Sequence, residues 1–439
     1  MIISHQKQRG IIDALRRGTV PNQGLESFAV ELDRFLPSID SDLETVKSGG
    51  SVFKAVRGEY GSGKTFFVRW LQERAKQNGF AAAEVQISET ETPLHKLETV
   101  YRRSMERLST GSSQPGAFRG IVDAWFYTLE EDILAAGDMD SINERQLMET
   151  TSELMEKRLA SVTRNAPAFA AALRAYRQAM LKNDITLSEG MISWLTGQPH
   201  VTANIKRIAG LKGEVDHFTA LSFLQGLLAV LRDSGHPGLV LIMDEVETLQ
   251  RVRGDVRDKG LNSLRQLIDE IDAGRFPGLY LVITGTPAFF DGPQGVKRLA
   301  PLAQRLHTDF STDAKFDNPR AVQIRLKGFD LSALYQLGCK IRDIYAAYSE
   351  QGERIIEVAD EKYIESLARA VTGNLGGKVG IAPRLFLKKL VGDVLDRIDQ
   401  FSDFDPRKDY ALTFVDSEMG EVERSAFSAK DVDEIKLAL

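Results

Sequence analysis

Residues 57–67 read RGEYGSGKTFF, in which three glycines fall within six positions and are followed directly by a lysine and a threonine. The octet that begins at Gly58 and ends at Thr65 fits the pattern G-x-x-x-x-G-K-[ST]. Glycines allow the backbone to curl so that consecutive N–H groups point inward. At the N-terminus of a helix, such groups bind an anion. The segment therefore predicts a phosphate-binding loop.

The flanking sequence predicts a strand before this loop and a helix after it. SVFKAVRG is a short apolar segment, and TFFVRWLQERAKQNG has apolar residues at helical spacing and ends at a glycine. In this context Lys64 is expected to reach the β- and γ-phosphates of ATP, and the Thr65 hydroxyl to ligate Mg²⁺. The predicted nucleotide-binding residues are Gly58, Glu59, Tyr60, Gly61, Ser62, Gly63, Lys64, Thr65 and Phe66.

A second motif, LVLIMDEVE at residues 239–247, is an apolar strand that runs directly into acidic residues. Asp244 is expected to hold Mg²⁺, directly or through water, and Glu245 to polarise the attacking water. Glu247 is expected to be a surface acid at the start of the next helix. Together with the glycine-rich loop, this motif predicts hydrolysis of ATP.

Two further segments supply candidate groups for the γ-phosphate. LVITGTP ends the next predicted strand, and either Thr284 or Thr286 could contact the phosphate or the water, although a threonine there is more often a turn residue. In GIAPRLFLKKLV, Arg384 follows the proline that opens a helix. An arginine in the first turn opposes the helix dipole, and a bound phosphate would explain it.

The overall pattern predicts an α/β fold with a mostly parallel sheet covered by helices on both faces. Helices are expected at residues 5–17 and 24–47, throughout 91–232 with breaks near 109–116, 164–167 and 196–199, and after 331. The predicted strands lie within residues 51–58, 80–88, 236–247, 276–287 and 321–329.

Composition restricts the class of protein and its compartment. The chain has 439 residues and a net charge of −6, so no global basic field draws it to DNA or to acidic membranes. Its single cysteine permits no internal disulfide, and no apolar run approaches the roughly 18 residues of a membrane span. We therefore expect a cytoplasmic protein without a membrane partner. The scattered histidines indicate no zinc site.

The order of these motifs resembles the AAA+ branch of P-loop ATPases. ALRRGTVPNQGLESFAV, RGEYGSGKTFFVRWL, LVLIMDEVE and GIAPRLFLKKL together more closely resemble the BrxD-type ATP-binding proteins of bacterial BREX phage-defence operons, over about residues 5–400. The resemblance implies a sheet in the order 5-1-4-3-2, a helical lid after about residue 331 and Arg384 as a sensor arginine. It also implies a role, with other proteins of the operon, in an anti-phage complex acting on DNA.

On this basis we divide the chain into four parts. They are an N-terminal helical segment (1–50) near the adenine, a P-loop ATPase core (51–90 and 233–330), a helical insertion (91–232) and a C-terminal lid (331–439). Insertions of this size usually bind a partner or substrate. The basic residues of the insertion lie either on solvated helix faces or on a stripe that faces DNA. They are Arg102, Arg103, Arg107, Arg119, Lys157, Arg158, Arg174, Arg177, Lys206 and Arg207.

The segment VKRLAPLAQRLHTDF bears on self-assembly. Arg298 and Arg305 are seven residues apart and share one face if the segment is helical. The resemblance makes Arg305 the candidate that reaches the γ-phosphate of a neighbouring copy, so a homo-oligomer is expected; two surface arginines of a monomer are the alternative.

The main alternative function is a nucleotide-gated switch that hydrolyses slowly and does not bind DNA. A helicase motor and a small-molecule kinase are disfavoured, because no second motor core or further helicase motif is visible and the long insertion does not suit a small kinase.

Overall fold

The computed structural model describes residues 4–136, 144–374 and 383–413. Within these ranges the chain forms one five-stranded sheet in which every pair of neighbours is parallel, in the order β2-β3-β4-β1-β5. The strands are β1 (Val52–Arg57), β2 (Ala81–Gln86), β3 (Leu239–Asp244), β4 (Leu279–Gly285) and β5 (Gln323–Arg325). The α/β class and all five predicted strands are confirmed, and the strand order is the one that the resemblance implies.

The N-terminal part contains three helices. They are α1 (His5–Arg16), α2 (Leu36–Lys47) and α3 (Lys64–Gln77), of which α3 follows β1. The predicted helix over 24–47 is wrong in its first half, where short 3₁₀ turns stand at Leu25–Ser27 and Asp33–Phe35. Gly24 and Glu31 have φ values of 76° and 61°, and a left-handed residue interrupts a right-handed helix.

Seven helices occupy the described residues between β2 and β3. They are α4 (Leu97–Arg107), α5 (Phe118–Ala136), α6 (Glu144–Asn165), α7 (Pro167–Leu181), α8 (Ile185–Leu195), α9 (Ala203–Ile208) and α10 (His217–Asp233). The helical content and the predicted breaks of this segment are confirmed. Buried residues of α4 and α10 pack with strands β3 and β4, and the same hydrophobic core continues outward through Trp125, Phe169 and Phe223. The segment is thus joined to the sheet by a continuous apolar core.

The chain between β3 and β5 forms α11 (Gly254–Asp272), α12 (Pro287–Asp291) and α13 (Ala300–Arg305). The expectation that Arg298 and Arg305 share one helical face is wrong. Arg298 ends a 3₁₀ turn, Leu299 is extended, and α13 begins at Ala300 as a separate helix with Pro301 in its first turn. Proline favours the first turn of a helix, where its missing N–H is not needed.

The described C-terminal residues are helical. They comprise α14 (Leu331–Tyr348), α15 (Gly352–Val358), α16 (Glu361–Asn374), α17 (Pro383–Lys388), a π-helical segment (Lys389–Leu395), α18 (Asp396–Gln400) and α19 (Pro406–Asp409). The helices from α14 to α18, with α1, α2 and α3, share a second hydrophobic core on the other face of the sheet. Arg16 of α1 makes a bidentate ion pair with Asp396, at 2.6 and 2.8 Å, so the N-terminal and C-terminal helices are held together. None of the helices in the described ranges is long and apolar enough to cross a bilayer.

Candidate nucleotide-binding site

The glycine loop, residues 58–63, joins the end of β1 to the start of α3. Gly61 and Gly63 have φ values of 79° and 87°, a region that glycine enters without steric cost. A Cβ atom at Gly58 would collide with Oγ of Ser62, so the loop closes tightly only around glycine. The first N–H groups of α3 have no partner within the helix, which makes this end a site for an anion.

Lys64, the first residue of α3, folds back over the glycine loop. Its side chain is 8% exposed, and its Nζ donates hydrogen bonds to the carbonyl oxygens of Gly58 at 2.8 Å and Glu59 at 3.2 Å. Burial lowers the pKa of Lys64, against the attraction of nearby carboxylates. The ammonium therefore already lies at the loop that the sequence predicts to bind phosphate.

Asp244 at the end of β3 meets Thr65 and Thr284. The Thr65 hydroxyl donates to Oδ2 of Asp244 at 3.4 Å, and the fully buried Thr284 hydroxyl donates to Oδ1. The Thr284 hydroxyl also accepts the N–H of Glu245 at 3.0 Å. Thr284 lies on β4, next to β3, and this adjacency places the threonine where it orients both acidic residues.

Glu245 stands in the left-handed region, with φ of 60°. A residue other than glycine adopts this conformation only where the surroundings enforce it. The side-chain amide of Gln86 donates to Oε2 of Glu245 at 2.9 Å. Sequence reasoning missed Gln86, which ends β2 opposite Asp244 in the parallel ladder. Only the strand order brings β2 beside β3, so the motif alone could not have identified it.

Glu247 is not the surface acid that the sequence predicts. It is 5% exposed, and one carboxylate oxygen lies 3.9 Å from Nζ of Lys64. After the left-handed Glu245 the chain forms a 3₁₀ turn, Val246–Gln250, which directs Val246, Glu247 and Leu249 inward. Burial raises the pKa of Glu247 to about 7 despite the opposing effect of Lys64.

The loop from Glu59 to Gly63, Lys64, Thr65 and the acids Asp244, Glu245 and Glu247 line one cavity of about 270 Å³, whereas Gln86 and Thr284 are not among its lining residues. Besides the glycine loop and the three acids, its walls include residues 18–21, Phe66, Phe329, Arg384 and Leu387. Two residues of α3 hold the N-terminal wall in place. Arg69 donates to the Val20 carbonyl at 2.7 Å, and Glu73 accepts the N–H groups of Gly24 and Leu25 at 2.6 and 2.8 Å.

The remaining predicted site residues have different positions. Arg384 is exposed in the first turn of α17 and lines the cavity. Thr286 is buried and caps α12 by accepting the N–H of Phe289, and it does not line the cavity. Arg305 is exposed outside the cavity, pairs with Asp269 of α11 and donates to the Pro301 carbonyl at 3.0 Å.

The residues of the cavity fit a magnesium ion and a phosphate chain. The hydroxyl of Thr65 and the carboxylate of Asp244 are hard oxygen ligands of the kind that Mg²⁺ binds together with substrate phosphates. The buried Ser62 hydroxyl in the glycine loop has no hydrogen-bond partner in the part of the chain that the structure describes. Buried polar atoms are usually paired, so this hydroxyl is consistent with a ligand that contacts the loop.

Comparison with protein families agrees with this geometry. The family model described as BREX system ATP-binding protein BrxC/D matches residues 3–414, nearly the whole chain. The chain belongs to this family. It is therefore an ATP-binding protein of a BREX system, which confirms the resemblance stated from the motifs. A comparison with curated protein sequences gives no significant match.

In this BREX family member, much of the basic charge of the segment between β2 and β3 is compensated by acids. Among the described residues, five of the ten basic residues named above form ion pairs. The pairs are Arg103 with Glu91 and Glu106, Arg119 with Glu189, Arg158 with Asp132 and Asp233, Arg174 with Glu156, and Arg177 with Glu130. Such pairing favours solvated helix faces over a continuous DNA-facing stripe.

Proposed function

We propose that this BREX protein is an AAA+-like ATPase that binds ATP and Mg²⁺ in the cavity and hydrolyses ATP to drive a defence complex on DNA. The observation that carries the proposal is the convergence of the glycine loop, Lys64, Thr65, Asp244 and Glu245 on one cavity. The triphosphate lies on residues 58–66, and the adenine lies toward residues 18–26 and the C-terminal helices, which act as a lid.

Each residue of the proposed site has a distinct task. Lys64 binds the β- and γ-phosphates, while Thr65 and Asp244 hold Mg²⁺, which neutralises charge on the phosphate oxygens. Glu245 accepts a proton from the attacking water. Thr284 fixes the positions of the Asp244 carboxylate and the Glu245 backbone through its two hydrogen bonds. Arg384 contacts the phosphates from the C-terminal helices. Thr286 acts only through the cap of α12.

A second candidate function is a nucleotide-gated switch that hydrolyses slowly and recruits a partner without binding DNA itself. Two observations favour it. The Glu245 carboxylate is already engaged by Gln86, and five arginines between β2 and β3 are paired with acids. Both features reduce the groups available for rapid hydrolysis and for phosphate-backbone contacts.

Turnover with and without DNA separates these two functions. We expect double- or single-stranded DNA at low salt to raise the ATPase rate, and the rise to fade as salt increases, because binding to the phosphate backbone releases counterions. Replacing Arg102, Arg103 and Arg107 by Glu should abolish the stimulation, whereas basal turnover should persist. A rate that is unaffected by DNA, with no DNA binding even at low salt, would favour the switch.

Self-assembly is expected to be required for full activity. In the proposed oligomer, Arg305 leaves its ion pair with Asp269 and neutralises charge on the γ-phosphate of a neighbouring copy, a contribution of about 10³-fold or more in known fingers. Arg305→Ala and Lys64→Ala should each be inactive alone, while their mixture regains activity, and specific activity should rise with protein concentration. Arg298→Ala, in which the lost arginine pairs with Asp258, is the matched control. Wild-type activity in Arg305→Ala and a rate per molecule that is flat on dilution would indicate a monomeric ATPase.

A further inference from the structure

Glu247 is a buried carboxylate for which the proposed catalytic cycle has no task. It lines the cavity, yet neither of its oxygens has a hydrogen-bond donor within the described ranges of the chain. Burying a carboxylate that accepts no hydrogen bond is costly. A side chain kept in such a position indicates an interaction that matters to the site.

The nearest cation to this carboxylate is the ammonium of Lys64, at 3.9 Å. Lys64 thus faces three acceptors of the protein itself, the two carbonyls of the glycine loop and Glu247. To bind the β- and γ-phosphates, the ammonium must exchange these acceptors for phosphate oxygens. The exchange leaves Glu247 buried without its cation and beside a second anion.

The charged groups that act most strongly on the Glu247 carboxyl, apart from Lys64, do not relieve this conflict. Asp244 and Glu245 are also acidic and line the same cavity, and both repel the Glu247 carboxylate. Tyr60 in the glycine loop is neutral, and its ring lies 5.1 Å from Nζ of Lys64. Arg251 after the 3₁₀ turn is exposed and interacts with Tyr60. A phosphate chain therefore competes directly with Glu247 for Lys64.

We propose that Glu247 is a positioning residue that restrains Lys64 by competing with phosphates for its ammonium, and thereby weakens the binding of nucleotides whose phosphates reach Lys64. The inference rests on the proposed placement of ATP in this cavity. It extends that placement by identifying which residue sets the affinity. Nucleotide release is also faster than it would be without the Glu247 charge, because the carboxylate recaptures Lys64 when the phosphates leave.

The test is the affinity of Glu247→Gln for ATP, ADP and AMP at one salt concentration and at one pH well above 7, where the wild-type side chain, whose pKa burial raises to about 7, is ionised. The amide keeps the shape of the side chain and removes its charge. ATP and ADP should bind about tenfold more tightly, equivalent to about 1.4 kcal/mol, because their phosphates no longer compete with a carboxylate. AMP, whose single phosphate does not extend to Lys64, should bind as it does to the wild type. A purely structural role would change all three affinities alike.

Three further variants make the result decisive. Glu247→Asp retains the charge and should stay near the wild-type affinity. Glu247→Met removes the charge with a side chain of similar length, and it should also tighten ATP binding. It therefore replaces Glu247→Gln as the test if the amide variant does not fold. Glu153→Gln removes one charge from an exposed position on α6, outside the cavity, and should alter none of the affinities.

The outcomes distinguish this inference from the proposed function. Unchanged or weaker ATP binding in a folded Glu247→Gln variant would overturn the role of Glu247, even when Lys64→Ala abolishes ATP binding as expected. Unchanged ATP binding in Lys64→Ala would instead show that the cavity is not the nucleotide site, and both proposals would then fail. Tighter binding of ATP and ADP, without a change for AMP, supports the restraint.

Discussion

The Lys64→Ala variant is expected to lose about 2–5 kcal/mol of ATP-binding free energy, which corresponds to a roughly 30- to 5,000-fold weaker affinity. The lysine is buried at the glycine loop, and its ammonium is the mobile positive charge closest to the phosphate-binding backbone. Truncating a buried charge also leaves its partner uncompensated, and that cost is included in this range. Isothermal titration with ATP in the presence of Mg²⁺ measures the effect directly.

A matched control lies on the same helix. Lys76 is half-buried near the other end of α3, donates to Ser109 at 3.4 Å and does not line the cavity, so Lys76→Ala should bind ATP normally. The stability of Lys64→Ala must also be measured by chemical denaturation to show that the variant is folded, because this substitution deprives Glu247 of its nearest cation. A folded Lys64→Ala variant with unchanged ATP affinity would refute the proposed site.

The sequence predicted those parts of the site whose structure depends on residues that are close together along the chain. The glycine loop needs its residue types at fixed spacing, because a Cβ at Gly58 would meet Ser62 and because Gly61 and Gly63 are left-handed. The strands were recognisable because β3 and β4 are buried throughout and almost continuously apolar, while β1 is a short buried segment in which most residues are apolar. These features depend on neighbours in sequence, and the pattern records them directly.

The errors come from left-handed residues other than glycine and from contacts between distant elements. Glu31 interrupts the expected helix over 24–47, and Glu245 starts the turn that buries Glu247. Neither conformation is favoured by glutamate itself, so each is imposed by tertiary packing. Gln86 approaches Glu245 only because β2 and β3 are adjacent, although the residues are far apart in sequence. Single-sequence patterns contain no signal for either effect.

Glu245→Gln is the second substitution with a large expected effect, and it separates binding from hydrolysis. The new amide oxygen still accepts the Gln86 hydrogen bond, and the backbone N–H of residue 245 still donates to Thr284, so the loop after β3 should retain its geometry. An amide, however, cannot accept the proton of the attacking water. We expect ATP affinity near that of the wild type and a turnover that falls by about 10²-fold or more.

The measurement that isolates this effect is phosphate release in a single turnover with enzyme in excess, together with ATP affinity by titration. Glu89→Gln makes the same change in an exposed residue of the loop after β2 and should hydrolyse ATP at the wild-type rate. If wild-type turnover is already slow, as the switch alternative requires, the ratio between variant and wild type still reports whether Glu245 is the base.

A wild-type rate in Glu245→Gln would assign the base elsewhere. Glu247 would then be the first residue to test, since it is the other glutamate that follows β3 and lines the cavity.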